Sequence, residues 1–167
     1  DPQLGSWALV ASMSVKRARH TSVVLDGKIY TMGGLRAGGG TLDTVEAYDP
    51  QADSWQRLAS MPQGRRSFAA AAMGGKIYVT GGYSQGTVEN SVCVYDPQAN
   101  AWTQLASMSD ARQVHASAAV GGKLYIYGGL GADGPLGTTE VLDPASGSWA
   151  QGSSLTFPRQ FLVAVAL

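Results

Sequence analysis

Short apolar runs separated by glycine and aspartate recur along the chain and predict a protein built from strands. The clearest run covers residues 28–32, and it has counterparts at 76–80 and 123–127. β-branched and aromatic residues dominate these runs, as a pleated, half-buried surface favours. Each run follows an Asp-Gly or Gly-Gly pair, which supplies the positive φ values of a tight turn. The preceding runs at 20–25, 68–73 and 115–120 therefore pair with them as hairpins.

Two further strands follow each hairpin. A double glycine ends the second run, and a longer loop leads to a third run at 45–48, 92–95 or 139–142. An Asp-Pro pair then favours another turn, because proline presets φ and aspartate bonds the turn backbone. A fourth run starts at a tryptophan. We label the four strands a, b, c and d in chain order.

The same unit recurs with a spacing of 47 or 48 residues, and five series of residues keep one register. The series are the tryptophans, the Asp-Pro pairs, an arginine before strand a, a methionine or leucine before that arginine, and the double glycine. Their members are Trp7, Trp55, Trp102 and Trp149; Asp1, Asp49, Asp96 and Asp143; Arg17, Arg65, Arg112 and Arg159; Met13, Met61, Met108 and Leu155; and Gly33, Gly81 and Gly128. Four strands per period of this length predict a propeller blade.

The repeated residues also resemble a known family. Ile-Tyr-x-x-Gly-Gly starts at Ile29, Glu-Ala-Tyr-Asp-Pro starts at Glu46, and Trp55 stands seven positions after Tyr48. This pattern closely resembles the kelch repeat, although the third repeat has Leu142 in place of the tyrosine. The resemblance implies an all-β fold, a β-propeller of four-stranded antiparallel blades with strand a innermost. It also implies a binding pocket on the face that carries the d–a and b–c loops.

The strand count divides the chain unevenly. We expect residues 1–14 to hold the outer strand, and residues 155–167 the inner strand, of an incomplete blade. Residues 15–60, 61–107 and 108–154 are expected to form three complete blades. The resemblance to kelch proteins implies a ring of six or seven blades. We therefore expect this chain to be part of a larger ring, most simply a six-bladed one. A second copy or another chain could complete it.

Composition narrows the function. Twelve basic residues balance twelve acidic ones, which gives no overall field for nucleic acid or a membrane surface. Basic residues nevertheless gather in the d–a and b–c segments, whereas aspartates gather in the opposite turns.

Residues repeated in every blade are interpreted as scaffold, and those that vary between blades as free for function. Arginine forks suit bidentate capture of carboxylates or phosphates. An ordinary solvated surface, neutralised by nearby acidic residues, is the alternative.

The candidate binding residues follow from that distinction. Some are basic residues of the loop segments outside the repeated arginine series, and others directly follow the repeated arginine or lie one or two positions after the double glycine. In kelch proteins that capture peptides, the latter positions often carry the contacting side chains. The set is Lys16, Arg19, Arg36, Arg66, Tyr83, Ser84, Gln113 and Gln160.

Catalysis finds little support in the residues. His20 and His115 occupy equivalent places that hold Phe68 and Leu162 elsewhere, which favours a packing role. Cys93 has no metal-ligand spacing around it, and no phosphate-binding loop precedes a helix. We therefore expect no catalytic residue, no metal and no cofactor. The single cysteine fits a reducing, cytoplasmic compartment, with an extracellular one as the alternative.

The leading hypothesis is a module that binds a protein or an acidic peptide. Family analogy extends it to substrate recognition for a ubiquitin-ligase adaptor or scaffold. Two alternatives stay open: a sugar-directed propeller enzyme, of the mutarotase or carbohydrate-oxidase kind, and an architectural propeller inside a large assembly.

Overall fold

The computed structural model describes residues 5–164 as three four-stranded antiparallel sheets and one small hairpin, with no helix in that range. The first sheet contains β1 (Thr21–Leu25), β2 (Lys28–Met32), β3 (Val45–Asp49) and β4 (Ser54–Leu58). The second contains β5 (Ala69–Met73) and β6 (Lys76–Thr80), then, after the hairpin of β7 (Tyr83–Ser84) and β8 (Thr87–Val88), β9 (Val92–Asp96) and β10 (Ala101–Leu105). The third contains β11 (Ala116–Val120), β12 (Lys123–Tyr127), β13 (Thr139–Asp143) and β14 (Ser148–Gly152). The all-β fold and the a-b-c-d order are confirmed.

The predicted turns set the register of each blade. Asp26 and Gly27 adopt φ values of 49° and 73°, so that Leu25 pairs with Lys28 across a two-residue turn. The glycine pairs at 74–75 and 121–122 do the same in the other blades. Strand d begins one residue before Trp55, Trp102 and Trp149. We call the end of the sheets that carries the d–a and b–c segments the loop face, and the opposite end the turn face.

The two predicted terminal strands are not formed within the described residues. The segment around Trp7 carries no strand, and neither do residues 160–164 of the last predicted strand; its final three residues lie outside the described range. The physical reason is that a strand needs a ladder partner. Strand b or c of the same blade would provide it, and neither segment has such a partner here.

Successive blades pack face to face around their inner strands. β1 contacts β5, and β5 contacts β11, which places the three a strands next to one another. One apolar cluster joins the first and second blades and includes Met32, Phe68 and Ile77. A second cluster joins the second and third blades. Each sheet therefore buries apolar side chains against its neighbour, as a repeat architecture requires.

The double glycine is required where one blade touches the next. A Cβ atom at Gly81 would lie 2.4 Å from the carbonyl oxygen of Arg112, and φ at Gly81 is 58°. The N–H of Gly82 donates to that same carbonyl oxygen, at 2.8 Å. The repeated tryptophan makes a second bond between blades, because the indole N–H of Trp102 donates to Ala59 O at 2.9 Å. Both contacts are repeated at the other boundary.

The repeated arginine braces its own blade. Arg112 donates to the carbonyl oxygens of Gly128 (2.8 Å) and Thr138 (3.2 Å), and to Glu140 of strand c at 2.8 Å. Arg17 forms the same set in the first blade, with Glu46 at 2.6 Å. This placement agrees with the scaffold role predicted for Arg17 and Arg112, whereas Arg159 is exposed and makes no such set of contacts within the described residues.

The second blade keeps the arginine but loses the carboxylate. Arg65 is buried and donates to Gly81 O at 2.9 Å, whereas Cys93 occupies the place of Glu46 and Glu140. A second difference accompanies the loss of the carboxylate. Glu46 accepts the backbone N–H of Ser14 in the first blade, whereas Pro62, the equivalent residue of the second blade, has no N–H to donate.

Candidate functional site

The d–a segments meet around the axis of the blades on the loop face. Four equivalent residues, two positions after the repeated arginine, adopt positive φ: Arg19 (54°), Ser67 (54°), Val114 (47°) and Phe161 (57°). Their backbones are linked in a chain from blade to blade. Ser67 N–H donates to Arg19 O at 2.9 Å, Val114 N–H to Ser67 O at 2.7 Å, and Phe161 N–H to Val114 O at 2.9 Å. Positive φ is rare for valine, so these bonds hold a strained backbone in place.

A cavity of about 380 Å³ opens at this chain of bonds. Its size lies in the range of small-ligand sites, about 300–1,000 Å³. One cation and two side-chain amides line it beside apolar groups. The lining residues are Arg19, His20, Ser67, Gln113, Val114, Leu130, Gln160 and Phe161. The cavity therefore brings together three of the predicted binding residues, Arg19, Gln113 and Gln160.

The other two positional predictions form a neighbouring pair. The residue after the repeated arginine lies opposite the residue after the double glycine in each complete blade, as the bridges at 18–35, 66–83 and 113–130 show. In the second blade Arg66 and Tyr83 exchange two backbone hydrogen bonds, at 3.1 and 2.8 Å. The Arg66 guanidinium also lies 4.7 Å from the centre of the Tyr83 ring. This stacking orients the cation while leaving its N–H groups available.

Ion pairing differs between the two faces. On the turn face, Lys28, Lys76 and Lys123 pair with Asp49, Asp96 and Asp143, at 3.3, 3.0 and 3.9 Å. On the loop face, the predicted cations make no ion pair with any carboxylate of residues 5–164; these are Lys16, Arg19, Arg36 and Arg66.

Two of the acidic residues expected to neutralise that face, Glu89 and Asp110, have other partners. Glu89 accepts from Gln63 and Ser91, at 3.2 and 3.3 Å. Asp110 accepts from Thr138 at 2.7 Å and pairs with the scaffold Arg112. The loop face thus carries cations without carboxylate partners in the described chain.

Three predicted residues lie away from the cavity. Lys16 is exposed, and Arg36 folds onto its own loop, where it donates to Gly39 O at 3.1 Å. Ser84 is fully buried; its hydroxyl donates to Gly64 O at 2.6 Å and accepts from Gln63 at 2.9 Å. In this conformation Ser84 fixes the small hairpin of the second blade and presents no surface to a ligand, in contrast to its predicted role.

Five lining residues were not selected from the sequence: His20, Ser67, Val114, Leu130 and Phe161. A signal for three of them exists in the repeat, because Ser67, Val114 and Phe161 share the register of Arg19. Their variation from blade to blade has the same meaning as that of Gln113 and Gln160. Leu130 has no polar side-chain atom that would mark it as a binding residue, but it contributes an apolar wall.

The two histidines occupy different surroundings. His115 is buried between blades and its Nε2 lies 2.9 Å from Thr80 Oγ1. Burial, reinforced by the nearby Arg112 charge, lowers the pKa of His115 to about 3, so the ring is neutral. His20 lines the cavity, and partial burial with the Arg17 charge lowers its pKa as well. Burial raises the pKa of the Cys93 thiol to about 11.

Within residues 5–164, no three His, Cys, Asp or Glu side chains are grouped so that they could hold a metal ion. That same range also lacks any helix long and apolar enough to cross a membrane.

Comparison with known proteins identifies the family. The model of the KLHDC2/KLHL20/DRC7 Kelch-repeats domain matches residues 5–129, and the Kelch motif model matches residues 112–156. The chain therefore belongs to the kelch-repeat family. No curated protein sequence matches it.

Among solved structures, one described as "Structure of YjhT" superposes with a TM-score of 0.79 at 21% sequence identity. The match covers 93% of this chain and 57% of that one, so the chain spans little more than half of the solved structure. Fold and family together define a kelch propeller module with an open ring.

Proposed function

We propose that this module binds an acidic peptide segment of a partner protein on its loop face. The observation that carries the proposal is the difference between the faces: the lysines of the turn face are paired with aspartates, whereas Arg19 and Arg66 have no carboxylate partner in residues 5–164. Carboxylates of a peptide supply that partner. Charge-assisted hydrogen bonds to an arginine fork are among the strongest available to such a peptide.

The cavity beside these cations suits a peptide backbone. The side-chain amides of Gln113 and Gln160 make no hydrogen bond within the described range, and each can donate and accept. Val114, Leu130 and Phe161 offer an apolar wall. An extended segment with acidic and apolar side chains fits this combination.

The test is fluorescence anisotropy with a labelled glutamate-rich decapeptide and its glutamine counterpart. Arg19→Ala and Arg66→Ala are each expected to weaken binding of the acidic peptide about tenfold or more, because each removes a hydrogen bond to a charged acceptor. Arg57→Ala is the matched control, since Arg57 is exposed on the outer strand β4 of the first blade. It removes the same charge and is expected to leave binding unchanged.

The salt dependence of binding distinguishes an acidic-peptide-binding module from a sugar-directed protein. Added salt weakens pairing between solvent-exposed charges, so affinity is expected to fall as ionic strength rises. Equal binding of both peptides would contradict the proposal. Salt-independent behaviour, with signal changes on titration of a sugar, would favour a sugar-directed protein instead.

We further propose that the module is the recognition part of an adaptor or scaffold, including adaptors of ubiquitin ligases. This role is supported by the family resemblance alone. Co-purification with a ligase subunit, together with ubiquitination of a captured partner protein that survives Arg57→Ala but not Arg66→Ala, would support it. Equal ubiquitination of the partner protein by both variants would argue against recognition through the loop face.

A second copy of the chain is our proposal for what covers the two outermost sheets. Val24 of the first blade and Val120 of the third are exposed by 67% and 53%, and Arg159 is exposed where its counterparts Arg65 and Arg112 are buried. A solution mass of two chains supports this assembly. A folded monomer at all concentrations would remove it.

A further inference from the structure

The c–d turns differ between blades at one position. The residue with positive φ in this turn is Asp53 (45°) in the first blade, Asn100 (48°) in the second and Gly147 (69°) in the third. Asp and Asn tolerate this conformation better than most residues, so the backbone alone does not require the glycine. The third blade therefore lacks a side-chain acceptor that the other two share.

That acceptor joins three groups in the second blade. Asn100 Oδ1 accepts the hydroxyl of Tyr95 at 2.7 Å and the backbone N–H of Ala59 at 2.9 Å. Ala59 belongs to the end of the preceding blade, so the side chain bonds one blade to the next. The first blade repeats the arrangement, with Asp53 accepting from Tyr48 at 2.7 Å and from the N–H of Ala11 at 2.8 Å.

The third blade has lost both side chains of this arrangement. Leu142 replaces the tyrosine, and Gly147 replaces the acceptor. Ala106 is the counterpart of Ala59; its carbonyl oxygen accepts the indole N–H of Trp149 at 3.0 Å, but its own N–H has no acceptor within residues 5–164. A backbone donor is left open where the other blades satisfy it.

A cleft of about 250 Å³ lies at this place, between the second and third blades. Tyr78 and Val94 line it from the second blade, together with Ala106, and Leu142 and Gly147 line it from the third. At the preceding boundary the rings of Tyr30 and Tyr95 lie 6.3 Å apart, so an aromatic ring fills the corresponding space. The third blade therefore lacks one aromatic ring and one oxygen acceptor, side by side.

We infer that this cleft is a second binding site, distinct from the loop-face cavity, and that it takes a small aromatic carboxylate. The ring occupies the place of the missing phenol, against Tyr78 and Leu142. The carboxylate takes the place of the missing acceptor and receives the N–H of Ala106. Lys76, which lines the cleft while paired with Asp96 at 3.0 Å, adds positive charge near the carboxylate.

The available space agrees with this ligand class. An apolar cavity of about 150 Å³ is enough for benzene, so about 250 Å³ accommodates a benzoate-sized ligand. A neutral ring alone makes no bond to the Ala106 N–H, whereas a carboxylate adds a charge-assisted hydrogen bond, which favours the carboxylate.

The experiment is a titration of the ¹⁵N-labelled protein with benzoate, followed by ¹H–¹⁵N spectra. Saturable shifts are expected at the amides of Ala106 and Gly147. Benzyl alcohol, which has the ring without the carboxylate, is expected to bind about tenfold more weakly, because it offers no charged acceptor. Equal affinities of the two ligands, or an Ala106 amide that does not respond to benzoate, would overturn the inference.

Two variants test the geometry. Gly147→Asn restores the acceptor of the other blades, and a Cβ atom at Gly147 meets nothing within 4 Å, so the variant has room to fold. It is expected to abolish the benzoate shift at Ala106 by occupying its N–H. Leu142→Tyr is expected to abolish it by filling the space of the ring. An unchanged shift in Gly147→Asn would overturn the assignment even if Leu142→Tyr does not fold.

The reverse change provides a gain of function. The double variant Tyr95→Leu with Asn100→Gly gives the second blade the sequence of the third at these positions. It is expected to add a benzoate shift at the amide of Ala59, and a folded double variant without that shift would contradict the inference. Peptide binding at the loop face is measured separately, so either proposal can fail alone.

Discussion

Removal of the Glu140 carboxylate is expected to destabilise the protein strongly. Glu140 is 1% exposed and accepts from Arg112 at 2.8 Å, from Ser109 N–H at 2.7 Å and from Asp110 N–H at 3.1 Å. Glu140→Ala leaves a buried guanidinium and two N–H groups without this acceptor. Breaking a buried ion pair costs about 3–5 kcal/mol. We expect about 3 kcal/mol, at the low end, because Arg112 keeps the carbonyl oxygens of Gly128 and Thr138.

The second blade provides the control. Cys93 occupies the same position without a carboxylate, and Cys93→Ala removes one buried sulfur atom, which is expected to cost about 1 kcal/mol, comparable to the loss of a buried methylene. The assay is urea unfolding followed by tryptophan fluorescence, with equal m-values as the condition for comparison. Equal losses of unfolding free energy in Glu140→Ala and Cys93→Ala would refute the reasoning, because the ion pair would then contribute nothing.

Two more predictions concern the contacts between blades. Gly81→Ala and Gly74→Ala introduce the same side chain at φ values of 58° and 59°, but only the former meets a backbone atom, Arg112 O at 2.4 Å. Thermal unfolding is expected to show that Gly81→Ala loses about 1–3 kcal/mol more unfolding free energy than Gly74→Ala. Equal losses in the two variants would contradict the close approach at Gly81. His115 binds a proton less readily in the folded state, where its pKa is about 3, than in the unfolded state, so its contribution is complete above pH 6.5 and is lost as pH falls toward 3. The unfolding free energy is expected to decline by up to about 1.4 kcal/mol per pH unit below pH 6. The variant His115→Phe, which copies Phe68 of the second blade, is expected to reduce that slope. An unchanged slope would contradict the assignment of this pH dependence to His115.

Because the four-stranded unit repeats, most of the fold can be predicted from the sequence. Local rules place the strands: Asp26-Gly27 fixes the first hairpin, and Trp55 marks the fourth strand to within one residue. The register then transfers from blade to blade without further information. The terminal segments show the limit of this reasoning, because the apolar pattern around Trp7 predicts a strand, whereas a strand forms only where a partner offers its backbone.

The grouping of candidate residues was predictable where position in the repeat decides orientation. Arg19, Gln113 and Gln160 reach one cavity because their segments meet at the axis. Ser84 also varies between blades, but contacts with Gln63 and Gly64, some twenty residues earlier in the chain, turn its hydroxyl inward.

The cleft between the second and third blades shows the same limit. Leu142 is visible as a departure from the repeat, but the open N–H of Ala106 appears only when two blades are placed side by side. Contacts between segments far apart in the sequence form the cleft and leave this N–H open, so a local sequence pattern does not predict them.

The most direct test of the proposed function is to map the surface that an acidic peptide occupies. Amide shifts are measured while a glutamate-rich decapeptide is titrated into the ¹⁵N-labelled protein. We predict that the shifts concentrate at Arg19, Ser67 and Val114, around the loop-face cavity. Shifts confined to the neighbourhood of Lys28 and Lys76 on the turn face, or none at any amide, would contradict it.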